Sequence, residues 1–215
     1  MESGKPILYN YWRSSASWRV RIALNWKGIE YEYVPIHLLK DGGQQYSEDY
    51  KKKNPMARVP ALYIDGHTLA ESVAILEYLE ETRKERPLLP ADPIKRAQVR
   101  QLVEIVNSGI QPLQNLPVLA RVNDEYKQDK IAWAKHFITK GMTAFEEIVS
   151  QTRGKYCVGD EVSFADCCLI PQVFACARFD VDVNQFKNVK EIVDALSQLP
   201  EFKAAHATAQ PDTEA

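Results

Sequence analysis

Short apolar runs and amphipathic stretches alternate through the first part of the chain. Residues 6–12 (PILYNYW) and 31–36 (YEYVPI) are apolar and aromatic, which predicts two strands. Between them, residues 18–27 place apolar side chains at helical spacing, which predicts an amphipathic helix. A strand, a helix and a strand within about 30 residues predict a βαβ unit with parallel strands.

A polar segment separates this unit from a second group of elements. Residues 37–55 are polar and contain Gly-Gly and Asn-Pro breakers, which predict a loop and a short helix. Residues 58–72 contain two apolar runs around an Asp-Gly pair, a pattern typical of a hairpin. Residues 72–84 have a helical period. We therefore expect four strands and about three helices within residues 1–84.

The pattern changes after residue 84. Prolines are frequent in residues 85–92, which predict a linker, and strand signals stop beyond it. Helical patterns follow, so residues 93–215 are expected to form an all-helical domain. The last stretch, residues 208–215 (TAQPDTEA), is polar and is expected to be poorly ordered.

Composition and charge narrow the function without defining it. The formal net charge is −2, which gives no reason to expect a nucleic acid or an anionic membrane as partner. No apolar run approaches the ~20 residues needed to span a bilayer, and the first residues lack the pattern of a signal peptide. A cytoplasmic protein is therefore expected.

Cysteine and histidine positions do not suggest a metal centre. The four cysteines lie between Cys157 and Cys176 without a C-x-x-C pair, and the histidines are scattered. We therefore expect no metal, and we expect the cysteines to be buried and reduced.

The turn after the first strand, residues 11–20 (YWRSSASWRV), concentrates hydroxyl and guanidinium groups. Ser14 or Ser15 can cap the following helix, and this structural role alone would explain a serine there. The alternative is an anion or thiolate site at the helix N-terminus, with Arg13 and Arg19 beside it. The residues of this turn alone leave both interpretations open.

Several segments together resemble one known family. RSSASWRVRIAL (13–24) is similar to the SSCSxRVRIAL signature of the zeta-class glutathione transferases, the maleylacetoacetate isomerases, although Ala16 stands where that signature has Cys. Other similar segments, in the same order, are DGGQQ (41–45), NPxxxVPAL (54–62), ESVAILEYLEE (71–81), GIQPLQNL (109–116), YCVGDEVSFAD (156–166) and QPDT (210–213). The resemblance covers nearly the whole chain.

The resemblance implies a fold and an activity. The fold is α/β plus all-α: a thioredoxin-like glutathione-binding domain over residues 1–84 and an all-helical glutathione-transferase domain over residues 93–215. The activity is glutathione-dependent isomerisation of maleylacetoacetate to fumarylacetoacetate in phenylalanine and tyrosine breakdown, with transfer to α-haloacids as a side reaction. The resemblance also implies a homodimer. The alternatives are a general conjugating transferase and, less favoured, a non-catalytic binding protein.

The resemblance also assigns residues to glutathione. Ser14 or Ser15 would donate a hydrogen bond to the glutathione sulfur, and we prefer Ser14. Val59, before a cis Pro60, would bind the cysteinyl unit through its backbone. The remaining assignments are Glu71 and Ser72 for the γ-glutamyl group, Gln45 for the glycine end, and Gln111 for a contribution from the helical domain.

Arginines are candidates for the substrate, which is a dicarboxylate. The planar guanidinium fork suits carboxylates. Arg13 and Arg19 lie beside the serine turn, and Arg178 matches a family arginine proposed to bind the substrate carboxylate. Surface salt bridges are the alternative role for all three.

Overall fold

The computed structural model describes residues 4–214. Packing divides the chain into two units, the first formed by residues up to Pro87 with those from Leu199 onward, the second by Leu88–Gln198. The first unit thus differs from the predicted domain 1–84 because the segment from Leu199 onward packs within it. From the sequence, that segment is expected to belong to the helical domain, as part of residues 93–215.

The helices and strands follow one another along the described residues. The strands are β1 (Ile7–Asn10), β2 (Glu32–Pro35), β3 (Ala61–Ile64) and β4 (His67–Ala70). The helices are α1 (Ser15–Trp26), α2 (Glu48–Lys51), α3 (Ser72–Thr82), α4 (Pro93–Glu104), α5 (Leu116–Asp124), α6 (Lys130–Thr152), α7 (Phe164–Arg178), α8 (Lys187–Leu196) and α9 (Pro200–Ala205).

The strands of the first unit form a mixed sheet in the order β2-β1-β3-β4. β1 is parallel to β2 and antiparallel to β3, and β3 is antiparallel to β4. Asp65 and Gly66 both have positive φ in the β3–β4 turn, the conformation that a two-residue hairpin turn requires. The predicted βαβ unit and hairpin are confirmed.

Helix α1 is buried along most of its length and packs against α3 and α9. Ser14 caps its first turn, and Gly28, at φ 66°, terminates the helix in the left-handed region that glycine adopts without strain. The apolar side chains Ile22 and Leu24 lie in the core of the first unit. The C-terminal end of β1 and the N-terminus of α1 are therefore anchored from the interior.

The second unit is helical, with α6 packed against α5 and α8. The core side chains of α6 follow the helical period, at Ile138, Met142, Phe145 and Val149. Helix α7 begins with a capping box in which Ser163 and Asp166 bond reciprocally. This arrangement matches the predicted all-helical architecture.

The expectation of poor order over residues 208–215 is wrong for the described part of that stretch. A 3₁₀ turn spans Ala207–Ala209, and Gln210 is only 8% exposed. Gln210 Nε2 donates to the carbonyls of Ala204 and His206, both at 2.8 Å. The polar side chains that suggested disorder are bonded to the first unit; Ala215 lies outside the described residues.

Candidate active site

In the serine turn, Ser14 caps helix α1 and its hydroxyl can still donate a hydrogen bond. Ser14 Oγ accepts a hydrogen bond from Ser17 N–H at 3.2 Å, and Ser14 N–H donates to Tyr11 C=O at 3.0 Å. A hydroxyl that accepts one bond can still donate its own O–H. Ser14, Ser15 and Ala16 are partly exposed. The cap and the thiolate site are therefore compatible at Ser14.

Arg21, which the sequence did not single out, fixes this turn from the interior. Its buried guanidinium donates to Asn10 Oδ1 at 3.0 Å and to the carbonyls of Tyr11, Trp12 and Ala205 at 3.3, 2.9 and 3.1 Å. Burial lowers the pKa of Arg21 to about 10, so the group stays charged at neutral pH. A fixed cation thus lies beneath the backbone that precedes Ser14.

Arg19 does not occupy the position of a substrate-binding residue. It is 1% exposed, and its Nη1 donates to Ser72 Oγ at 3.1 Å. Because the guanidinium is buried and bonded to a hydroxyl at the start of α3, its prediction as a carboxylate ligand is corrected to support of Ser72. Arg13 is partly exposed, with its guanidinium carbon 5.5 Å from the Trp12 ring centroid.

The loop before β3 contains the expected cis-proline. The Val59–Pro60 bond is cis. The preceding carbonyl, that of Arg58, accepts hydrogen bonds from Tyr50 Oη and Asn54 Nδ2, both at 2.7 Å. Tyr50 and Asn54 therefore fix the loop on which Val59 presents its backbone, and the sequence analysis had not identified them.

A cluster of aromatic and aliphatic side chains joins this loop to the serine turn and to the segment before Gln45. Its members are Tyr11, Tyr50, Val59 and Ala61, with Tyr9, Trp12, Ile36 and Leu38 packed against them. The three loops that contain Ser14, Val59 and Gln45 thus share one core. Their mutual arrangement is set by apolar packing.

Gln45 is buried and has one acceptor atom without a hydrogen bond within residues 4–214. Its Nε2 donates to Leu38 C=O at 3.3 Å, whereas its buried Oε1 accepts no hydrogen bond from the described residues. Gly43 lies against it at φ 100°, where an added Cβ would come within 2.7 Å of Gln45 Nε2. An unsatisfied buried acceptor costs about 1–3 kcal/mol, so this atom fits a bound donor such as a peptide amide of glutathione.

Glu71 and Ser72 lie at the start of α3. Glu71 is exposed and adopts φ 66°, a left-handed conformation that costs a non-glycine residue of order 1–3 kcal/mol. Ser72 is buried and bonded by Arg19. Such backbone strain is common at ligand sites, which favours a binding role for this corner.

Gln111 and Arg178 belong to the second unit. Gln111 is partly exposed and begins a 3₁₀ turn that follows a π-helical turn over Ile105–Ile110. Arg178 is exposed in the last turn of α7, with its guanidinium carbon 5.3 Å from the Phe179 ring centroid. Neither residue is fixed by the kind of buried cluster that surrounds Ser14.

A neighbour of Gln111 is buried instead. Gln114 and Gln172 exchange two amide hydrogen bonds, at 3.0 and 3.3 Å. Both amides lie in the interior of the second unit, where they fix the turn after Gln111 against α7. The sequence similarity in GIQPLQNL therefore includes one structural glutamine.

Within residues 4–214, no group of three or more histidine, cysteine, aspartate or glutamate side chains is placed to bind a metal ion. No helix of the same residues combines the length and apolarity needed to cross a membrane.

Comparison with protein families gives two matches. Residues 8–87 match the model "Glutathione S-transferase, N-terminal domain", and residues 115–208 match "Glutathione S-transferase, C-terminal domain". The matches include every first-unit residue assigned to glutathione above, and their order agrees with the α/β and helical units.

Relatives and solved structures narrow the class. Maleylacetoacetate isomerase of Rattus norvegicus is 56% identical over 215 residues, covering 100% of this chain and 98% of the relative. A bacterial maleyl pyruvate isomerase, titled a zeta-class glutathione S-transferase, superposes with a TM-score of 0.93 at 38% identity, covering 97% of this chain and 100% of that one. Maleylacetoacetate isomerase from Anaeromyxobacter dehalogenans, solved with bound glutathione, has a TM-score of 0.89 at 41% identity, with 98% of each chain covered. The chain therefore belongs to the glutathione S-transferase family, in the zeta class that contains the maleylacetoacetate isomerases.

Proposed function

We propose that this protein is a glutathione-dependent isomerase that converts maleylacetoacetate to fumarylacetoacetate. The observation that supports this most directly is the Ser14 hydroxyl, fixed at the N-terminus of α1 by Ser17 N–H at 3.2 Å with its own hydrogen available. The full-length similarity to maleylacetoacetate isomerases supports the choice of substrate. Bound glutathione supplies a thiolate nucleophile that is returned unchanged.

Ser14 and the helix N-terminus favour the ionised thiol. A free thiol has a pKa near 8.5, so only a small fraction is ionised at neutral pH. A hydrogen bond to a charged acceptor contributes about 1.5–3 kcal/mol, and a helix N-terminus about 0.3–1 kcal/mol. Since one pKa unit corresponds to about 1.36 kcal/mol, the two together lower the thiol pKa by about 1.3 to 3 units. The thiolate then becomes the main species at neutral pH.

The other first-unit residues bind the peptide part of glutathione. Gln45 Oε1 accepts from the peptide N–H of the glycyl residue, Val59 offers its backbone to the cysteinyl unit, and Glu71 with Ser72 binds the γ-glutamyl group. Gln111 contributes from the second unit. The buried unsatisfied Gln45 Oε1 and the Arg19 bond to Ser72 support these roles.

Arg13 and Arg178 are the proposed ligands of the substrate carboxylates. Each is at least partly exposed, and each guanidinium lies near an aromatic ring, which limits its motion. The planar fork of arginine binds a carboxylate through two parallel hydrogen bonds. Arg19 is excluded from this role by its burial.

The experiment that tests the function is isomerisation of maleylacetone by the purified protein with and without glutathione. We expect isomerisation only when glutathione is present. Rates with a chlorodinitrobenzene-type electrophile and an α-haloacid should be much lower. A protein that conjugates the aromatic electrophile faster than it isomerises maleylacetone would be a general transferase instead.

A homodimer, a cytosolic location and the domain limits are also part of the proposal. Exposed apolar side chains of the first unit, Met56 at 60% and Tyr63 at 40%, favour a covered surface there. The four cysteines are buried and form no disulfide, which fits a reducing compartment. A glutathione-binding domain over 1–84, a linker over 85–92 and a helical domain from 93 remain our division by function. Sedimentation and cell fractionation test the first two.

A further inference from the structure

The segment Gln210–Glu214, called the tail here, is fixed along the first unit. Gln210 bonds the end of α9 through two carbonyls, and Thr213 Oγ1 donates to Ala207 C=O at 2.8 Å. These bonds give the tail a defined path. Its two acidic side chains, Asp212 and Glu214, point to different loops.

Asp212 bonds the backbone just before the serine turn. Its Oδ2 accepts from Trp12 N–H at 3.0 Å, and its Oδ1 accepts from Tyr33 Oη. The carbonyl of Trp12 accepts from Arg21 Nη2 at 2.9 Å. Both polar groups of Trp12 are thus bonded, one to the tail and one to a buried cation, two residues before Ser14.

Asp212 also acts electrostatically on this cation. Desolvation lowers the pKa of Arg21, and the carboxylate of Asp212 is among the groups that oppose this shift. Asp212 therefore stabilises the charged guanidinium that bonds the turn. The hydrogen bond to Trp12 and the charge interaction with Arg21 favour the same backbone conformation.

Glu214 bonds the loop that precedes Gln45. Its Oε1 lies 3.0 Å from His37 Nε2 and 2.8 Å from Lys40 Nζ. His37 Nδ1 accepts from the backbone N–H groups of Leu39 and Lys40, so Nε2 carries the hydrogen that is donated to Glu214. The second acidic residue of the tail thus bonds both ends of this short loop.

The loop continues directly to Gln45, the residue assigned to the glycine end of glutathione. His37 N–H donates to Gln44 Oε1 at 2.8 Å, and Gln44 N–H donates to His37 C=O at 2.9 Å. These bonds close the loop immediately before Gln45. A displacement of His37 would therefore be transmitted to the residue assigned to the glycine end of glutathione.

We propose that the tail is a positioning element that sets the affinity for glutathione, with Asp212 fixing the turn of Ser14 and Glu214 fixing the loop before Gln45. This inference rests on the proposed function, which assigns glutathione to these two loops. Asp212 is a positioning residue, since it acts through Trp12 and Arg21.

The main test combines amide exchange in the ligand-free protein with calorimetric binding of glutathione. In Asp212→Ala, the Trp12 amide loses its acceptor, and we expect its exchange to be at least about tenfold faster. The Kd for glutathione should rise about tenfold. Unchanged exchange at Trp12, or an unchanged Kd, would overturn the proposal.

Asp212→Asn separates hydrogen bonding from charge. Asparagine can accept from Trp12 N–H and donate to Tyr33 Oη, so it preserves the contacts without the negative charge. We expect its Kd to lie close to the wild-type value. A Kd equal to that of Asp212→Ala would contradict positioning by hydrogen bonds.

Two tyrosine variants provide a matched pair if Asp212→Ala folds poorly. Tyr33→Phe removes the hydroxyl that donates to Asp212, and Tyr78→Phe removes one that donates to Asp65 in the same unit. We expect Tyr33→Phe to raise the Kd about two- to threefold and Tyr78→Phe to leave it unchanged. Equal effects would indicate general loosening of the unit and would contradict the proposal.

The thiol pKa of bound glutathione distinguishes displacement of Ser14 from a purely electrostatic effect of the Asp212 charge, because the two change this pKa in opposite directions. Removing a negative charge alone would lower the thiol pKa, whereas displacement of Ser14 raises it. We expect Asp212→Ala to raise it. The exchange measurement needs no glutathione, so it reports the effect of the tail on Trp12 by itself. A protein that does not bind glutathione would be recognised by calorimetry instead.

Discussion

The two units differ in how their candidate site residues are fixed. In the first unit, Ser14 is bonded at its hydroxyl, and the backbone before it is bonded by Arg21 from the interior. In the second unit, Arg178 is exposed at a helix end and Gln111 is partly exposed. Hydrogen bonds to the neighbouring backbone and to a buried cation thus fix the serine turn. The candidate residues of the second unit, Gln111 for glutathione and Arg178 for the substrate, lie on accessible surface instead.

The largest expected effect comes from removing Arg21, the buried cation of the first unit. Arg21→Met leaves buried carbonyls unpaired, each at a cost of about 1–3 kcal/mol, so we expect the free energy of unfolding to fall by at least about 3 kcal/mol. Arg83→Met is the control, because Arg83 pairs with Asp65 near the surface and should cost less than about 1 kcal/mol. Urea unfolding measures both. Similar losses in the two variants would contradict the special role of Arg21.

A second prediction concerns Arg178, the exposed arginine at the end of α7 in the second unit. Arg178→Ala should raise KM for maleylacetone by about tenfold or more, since a charge-assisted bond contributes about 1.5–3 kcal/mol. The affinity for glutathione and the stability should not change. Arg153→Ala, which removes another guanidinium of the second unit bonded to Glu191, is the control and should leave KM as it is. A maleylacetone KM no worse than wild type would exclude Arg178 as a substrate ligand.

A third prediction tests Ala16, the position where this chain departs from the family signature. Ala16 is partly exposed in the first turn of α1, and it removes a second nucleophile from beside the bound sulfur. We expect isomerase activity in the present chain, and Ala16→Cys should change kcat by less than about threefold, because the nucleophile belongs to glutathione. Substrate affinity and covalent inactivation should change more. Activity that appears only in Ala16→Cys would refute this.

The smallest effect is a pH dependence of the first unit. Burial, together with Arg21, lowers the pKa of His206 from 6.5. Below pH 6.5 the unfolded chain therefore binds a proton that the folded chain does not, so the free energy of unfolding decreases as the pH falls through this range. His206→Asn should lose this component, which is small because the ring is only partly buried. Urea unfolding above and below pH 6.5 measures it, and identical slopes in both proteins would exclude His206.

Local patterns predicted the elements, and distant partners explain what was missed. The period of the apolar residues and the Asp-Gly turn were sufficient for the sheet and for most helices. Trp12 and Asp212 are 200 residues apart, and Arg21 and Ala205 are 184 apart. No local pattern indicates that a polar tail will find partners at that separation. The available signal for Arg21 was its place between the apolar residues Val20 and Ile22, both of which are buried.

Contacts between distant parts of the sequence also explain why the prediction of Arg19 as a substrate ligand was wrong. A guanidinium close to a serine turn in sequence suggests an exposed anion ligand, but α1 is buried on several faces at that point. The helix directs Arg19 toward Ser72 instead. The residues of the site were thus suggested by resemblance, and their support by Arg19, Arg21, Tyr50 and Asn54 required the fold.

The thiol pKa of bound glutathione, measured by ultraviolet absorbance across pH, tests the central claim most directly. Ser14→Ala should raise this pKa by at least about one unit and lower kcat/KM for maleylacetone at neutral pH about 10- to 100-fold. Ser15→Ala, the neighbouring serine, should leave both close to wild type. An unchanged thiol pKa in Ser14→Ala, or a larger shift in Ser15→Ala, would contradict the assignment of Ser14 as the donor to the thiolate.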